Sequence, residues 1–227
     1  AGLPEWSHAP GSAAAEKARP SLAEAFLQAI RSRWLVLLML QGVVLFVLAR
    51  VISVNLFQPI LASKNFGVGA YGVVMGAMTL VEAVGAARPQ WMRRWFRDRD
   101  GVQRGDLDSV GVLSGLMAFS IVLIPFCGQV GTLLVLGFFS LVVGLSYPIQ
   151  RQVMNDAIPD PNFRATILSL ESLIDRAVTA GVAASLEFLS RQMDGFLVAS
   201  GVGSFVLVVV VRWLIHRELR EKRTGTF

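Results

Sequence analysis

The chain has 227 residues, 54% of them hydrophobic and only 16% charged, with a mean hydropathy of +0.58 and a net charge of +5. A soluble domain carries about 25% charged residues, so this composition argues against an ordinary soluble globule. Cys127 is the only cysteine, which excludes an intrachain disulfide, and His8 and His216 belong to no metal-ligand spacing.

Residues 1–20 are rich in Ala, Pro, Gly and Ser and read as a flexible cytoplasmic linker. The chain begins at Ala1 without a signal-peptide pattern. Ser21 and Glu24 match a capping box, and Leu22, Phe26 and Ile30 follow at helical spacing. Residues 21–33 are therefore expected to form an amphipathic helix on the membrane surface, or else a helical linker touching no lipid.

Six apolar stretches follow, each near the roughly 20 residues a helix needs to cross the hydrocarbon core. They are Trp34–Ala62, Gly69–Ala87, Leu107–Phe126, Val130–Val153, Ala165–Leu189 and Phe196–Leu214. Open strands are excluded because unpaired backbone groups are not tolerated in lipid, and the alternation of a membrane barrel is missing. The expected fold is all-α: a polytopic six-helix transmembrane bundle over 34–214, with a basic cytoplasmic tail at 215–227. Gly72/Gly76, Gly111/Gly115 and Ala177/Gly181/Ser185 are small-residue patterns of the kind that let helices approach closely.

Seventeen of the 21 lysines and arginines fall on one side of these spans; Lys64 and Arg191 fall on the other, and Arg50 and Arg176 lie within spans. The positive-inside rule places both termini in the cytoplasm, and Trp34, Trp91, Trp95 and Trp213 mark the same edge. The basic balance thus reports membrane orientation, not nucleic-acid binding.

Ionisable side chains at membrane depth are costly and mark pathways or gates. Arg50 lies about 24 Å along the first span, followed by Asn55, Gln58 and the ladder-breaking Pro59. These read either as a polar lining, with Arg50 hinting at an anionic group on a ligand, or as a snorkelling arginine with helix-joining amides. Glu82 sits near the cytoplasmic end of the second span. Glu171 and Asp175 share one face of the fifth, with Arg176 about 100° away. The two acids either carry a coupling proton or pair with Arg164, Arg176 or the arginines of the 88–108 connection as a cytoplasmic gate. In the fourth span, Tyr147 and Gln150 flank Pro148, a kink or a cavity lining. No Ser/His/Asp set, phosphate loop or metal cluster is legible, so the reading is non-enzymatic and calls for no cofactor.

The stretch Gln150-Arg-Gln-Val-Met-Asn-Asp-Ala-Ile-Pro-Asp-Pro-Asn-Phe-Arg-Ala-Thr-Ile-Leu-Ser-Leu170 resembles the segment between the tenth and eleventh helices of major facilitator superfamily transporters. Gly85-Ala-Ala-Arg-Pro-Gln-Trp-Met-Arg-Arg94 is similar to a decayed copy of that family's basic signature loop, without its acidic residue. The resemblance covers residues 21–227 and implies the C-terminal half of such a permease, in a bacterial inner membrane. It further implies substrate contacts at Arg50, Asn55, Gln58, Tyr147 and Gln150. Gating or proton coupling would fall to Glu82, Arg164, Glu171, Asp175 and Arg176. The second and fifth spans would meet the other half. The expected partners are a small solute, protons, the bilayer, and either an N-terminal six-helix half lying upstream or a second copy. The competing expectations are a half-size carrier working as a homodimer and a non-transporting membrane scaffold subunit.

Overall fold

The computed structural model describes Leu27 and residues 31–100, 102–158, 160–189 and 193–224. The expected linker at 1–20 and nearly all of the expected surface helix at 21–33 lie outside these residues. Among the described residues the chain is helical throughout, with no strand.

Helix α1 runs Arg33–Arg50 and opens at Ser32, whose hydroxyl accepts the Leu35 amide at 3.3 Å. That is the side-chain cap a first turn needs to satisfy one of its orphan donors. A π-helical turn follows at Val51–Leu56, then α2 at Phe57–Ser63. Pro59 supplies the reason: it has no N–H for the carbonyl of Asn55, and its ring crowds that carbonyl, so the ladder widens just upstream. The span nevertheless continues without interruption from Arg33 to Ser63.

The remaining helices are α3 (Val68–Ala87), α4 (Gln90–Asp100), α5 (Val102–Leu123), α6 (Gln129–Ala157), α7 (Pro161–Leu189) and α8 (Met193–Thr224). The α2–α3 turn uses Asn65 at φ 59°, a left-handed conformation that asparagine tolerates. Its position is held by Lys64, which donates to the Pro125 carbonyl at 2.9 Å, and by Gln129, which donates to the Lys64 carbonyl at 2.9 Å. The α2–α3 connection is thus hydrogen-bonded to the segment that joins α5 to α6.

Among the described residues five helices are long and apolar enough to cross a membrane: Arg33–Ser63, Val68–Ala87, Gly105–Phe126, Gln129–Ala157 and Met193–Glu221. Helix α7 has the length, about 44 Å, but Arg164, Glu171, Asp175 and Arg176 punctuate its apolar surface. These are the helices of an integral membrane protein. Helix α8 continues through the expected basic tail as far as Thr224. Arg217 and Glu221, one turn apart, pair there at 2.9 Å.

Packing centres on α1, which touches α5, α6, α7 and α8. Helix α6 joins α1 to α3, while α5 and α8 pack together behind them. This gives one row in the order α3, α6, α1, α7, backed by α5 and α8. The core is built from Leu38, Leu45 and Ile52 of α1, Leu113, Met117 and Ile121 of α5, and Leu136 and Phe139 of α6.

The closest backbone approach is between α3 and α6. A methyl group on Gly144 would collide with the Glu82 carbonyl, and one on Gly85 would lie 2.6 Å from the Leu141 carbonyl oxygen. The small-residue patterns picked out from the sequence are only partly used. Gly111 lies against the Arg212 side chain and Gly115 near Phe205, but Gly72 and Gly76 face open space. A glycine pair marks a possible approach; whether a neighbour arrives depends on topology.

Candidate functional site

Three helices of the front row carry charged side chains that meet one another. Arg50 is the last residue of α1 before the π turn, and its Nη2 donates to Asp175 Oδ2 of α7 at 2.8 Å. Arg151 of α6 donates from Nη1 to Glu171 Oε2 at 2.9 Å, and its Nη2 lies 3.4 Å from the Ser172 hydroxyl. Glu171 and Asp175 are therefore anchored to two different helices, one turn apart on the same face of α7.

The crossing depends on Gly42. Helices α6 and α7 lie on opposite sides of α1, so the Arg151–Glu171 pair has to pass over it. A side chain at Gly42 would collide with Glu171 Oε1 and approach Gln150 Nε2 to 2.5 Å. Gln150 is fully buried there and donates to the Leu38 carbonyl at 3.1 Å. Arg151 then lies over the Phe46 ring at 4.8 Å, a cation–π distance, and Phe46 stacks on Tyr147 with centroids 5.1 Å apart. Glu82, Arg50, Asp175 and Arg151 are all within electrostatic reach of Tyr147.

The expected residues divide cleanly. Arg50, Tyr147, Gln150, Glu171 and Asp175 converge, and Glu82 lies at their margin on α3. Asn55 sits half-buried in the π turn and Gln58 is exposed on α2, both beyond the ion pairs along α1. Arg164 and Arg176 are exposed on α7 and take part in neither ion pair. The pairing expected from sequence is thus corrected: among the described residues the acids of α7 bond to Arg50 and Arg151, not to Arg164, Arg176, Arg88, Arg93 or Arg94. Arg176 follows Asp175 directly and projects about 100° away, so its neighbour is out of reach. Arg93 of α4 instead joins Asp106 at 3.0 Å and Gln152 at 2.6 Å, fastening that connection to the start of α5 and the end of α6.

The depth of the site is also revised. Helix α7 starts at Pro161, before its apolar stretch, which sets Asp175 about 21 Å along the helix, level with Arg50. Arg50, Tyr147 and Gln150, read from the sequence as lining, and Glu171 and Asp175, read as a gate, meet in one cluster. Two members escaped that reading. Arg151 looked like an ordinary flanking charge, and Gly42 belonged to no GxxxG pair.

No family model matches the sequence, and neither a curated protein nor a solved structure is detectably similar to it. The functional argument therefore rests on this geometry and on the residues quoted above.

The burial of the two pairs is uneven in a consistent way. The side chains of Asp175 and Glu171 are 3% and 0% exposed, while those of Arg50 and Arg151 are 38% and 41% exposed. The carboxylates are buried, and the arginine side chains that hold them are partly exposed. Arg50 Nε and Asp175 Oδ1 have no hydrogen-bond partner among the described residues, so the first pair uses only part of its bonding capacity.

Proposed function

We propose that this chain is one six-helix half of a secondary transporter, moving a small solute by alternating access with a proton as the candidate coupling ion. One observation carries the reading: two ion pairs link three helices inside apolar segments, an arrangement that is costly in lipid and is kept where a pathway or gate needs it. A charge pair that spans separate helices can break and re-form when those helices rock, which alternating access requires. The resemblance to the major facilitator superfamily supports the same reading and suggests a bacterial inner membrane with both termini in the cytoplasm.

The second half would be an N-terminal six-helix bundle or a second copy of this chain. The front row offers the surface for it. Helix α3 buries only Met78 and Gly85, and α7 packs chiefly on α1. Both helices keep long faces uncovered at the two ends of the row.

The test is uptake by proteoliposomes holding the native polypeptide, supplied with a mixture of small solutes and read by mass spectrometry against protein-free vesicles. Concentrative uptake that collapses in Arg50→Gln and Asp175→Asn supports the proposal. Variants that fold and still accumulate solute at the parent rate would sink the assigned site. Absence of uptake by a polypeptide shown to hold both halves would leave the scaffold reading. Cross-linking of cysteines placed on the exposed face of α3 distinguishes a second copy from an upstream half by the mass of the product.

A further inference from the structure

Building on the transporter reading, we infer that the site receives a small organic anion, its charge on Arg50 and Arg151 and its apolar body against Tyr147. The cluster holds two cations and two anions and is neutral in sum, so total charge does not choose a ligand. Access does. An approaching molecule meets the arginine side chains, each about two-fifths exposed, and not the carboxylates paired with them, whose side chains are 3% and 0% exposed. A cationic ligand would need those carboxylates and would have to displace both arginines to reach them.

The arginines also have donors to spare. Arg50 commits Nη2 to Asp175, and Arg151 commits Nη1 to Glu171 and makes only a long contact, 3.4 Å, from Nη2 to Ser172. A guanidinium presents five N–H groups in a planar fork suited to a carboxylate or similar anion. The paired carboxylates orient the forks, so less side-chain freedom is lost when a ligand binds. The half-buried Tyr147 ring, packed on the buried Phe46 that Arg151 covers, supplies an apolar wall, which makes an organic anion a better match than an inorganic one. Gln150 is buried and is held to the Leu38 carbonyl.

The experiment reads the local potential without needing the substrate. In a Cys127→Ser background, Ser172→Cys places a thiol beside Arg151. Its reaction is timed with an anionic sulfonatoethyl and a cationic trimethylammonioethyl methanethiosulfonate, each normalised to its rate with 2-mercaptoethanol. The normalised rates are expected to favour the anionic reagent by roughly tenfold, the lower range for focused fields. Arg50→Gln with Arg151→Gln is expected to reverse the preference, since Glu171 and Asp175 remain. Arg50→Lys with Arg151→Lys, which retains both charges, is expected to keep it. Benzoate should slow the modification at least threefold, and benzamide, its uncharged counterpart, should not. Equal rates, a preference for the cation, a thiol neither reagent reaches, or equal protection by benzoate and benzamide would each overturn the inference. Because no uptake enters this readout, a chain that shows the anion preference but transports nothing contradicts the transporter reading alone.

Discussion

Helix α3 and helix α7 stand at opposite ends of the same row, and they are attached by different physics. Helix α3 meets α6 backbone to backbone, with Gly85 and Gly144 facing each other across the contact. Helix α7 is tied to α1 and α6 through the ends of long charged side chains. A glycine contact is rigid, because any added atom meets main chain. An ion-pair contact is adjustable, because guanidiniums can exchange partners while the helices shift. The bundle thus has one fixed flank and one flank suited to movement, and the movable flank holds the charges.

The contrast can be broken first on its rigid side. Gly144→Val places side-chain atoms on the Glu82 carbonyl and is expected to cost about 3 kcal/mol or more, the upper range for overpacking. Detergent melting should show the largest loss of any variant here. Gly42→Val is a control on the movable side. Its added atoms meet the ends of Glu171 and Gln150 side chains, so the stability loss should be smaller while any transport is lost.

Next in size is an asymmetry within the Arg50–Asp175 pair. Arg50→Gln leaves Asp175 buried and unpaired, and is expected to cost about 3 kcal/mol, the low end for breaking a buried pair. Asp175→Asn leaves an arginine that is 38% exposed and can turn outward, so the loss should be distinctly less. The double variant should be more stable than the two single losses predict if added. Equal single effects would show that the two partners are buried alike, and the uneven burial described for the site would fail.

The smallest effect is expected outside the bundle. Arg93→Gln removes the link from α4 to Asp106 and Gln152; Asp106 is buried but keeps a further interaction, so the cost is expected to be about 1 kcal/mol, that of a typical hydrogen bond. Its loss should raise hydrogen exchange in α4 while leaving the melting of the bundle within about 2 °C. A larger shift would make the connection part of the core fold.

Much of the architecture was legible because lipid solvation acts on composition. All six apolar stretches became long helices, and their outer ends at Ser63, Val68, Phe126 and Gln129 lie within a residue of the sequence reading. The opposite ends extend further: α5 starts at Val102, α6 reaches Ala157, α7 starts at Pro161 and α8 reaches Thr224. Apolarity marks the hydrocarbon thickness, whereas backbone hydrogen bonding continues into the polar region, and only the first of these leaves a compositional signal. The site was legible in its residue types and not in its pairing. Arg50, Glu171 and Asp175 stand out because charge is rare at that depth, while Arg151 does not, lying where basic residues are common.

The sequence alone determined that this is an all-α chain of membrane-crossing length, where its helices run, and that polar chemistry lies within them. Those properties follow from local terms: transfer of side chains to lipid, the period of the helix, and the missing N–H of Pro59 that opens the π turn. Tertiary structure alone decided that α7 packs on α1, that Gly42 clears the path from Arg151 to Glu171, and that the carboxylates are buried while their arginines stay partly exposed. Each of these joins residues from different helices, such as Arg50 and Asp175, 125 positions apart. No local preference carries such a contact; it comes from which faces of rigid helices are left to meet once the apolar core has formed.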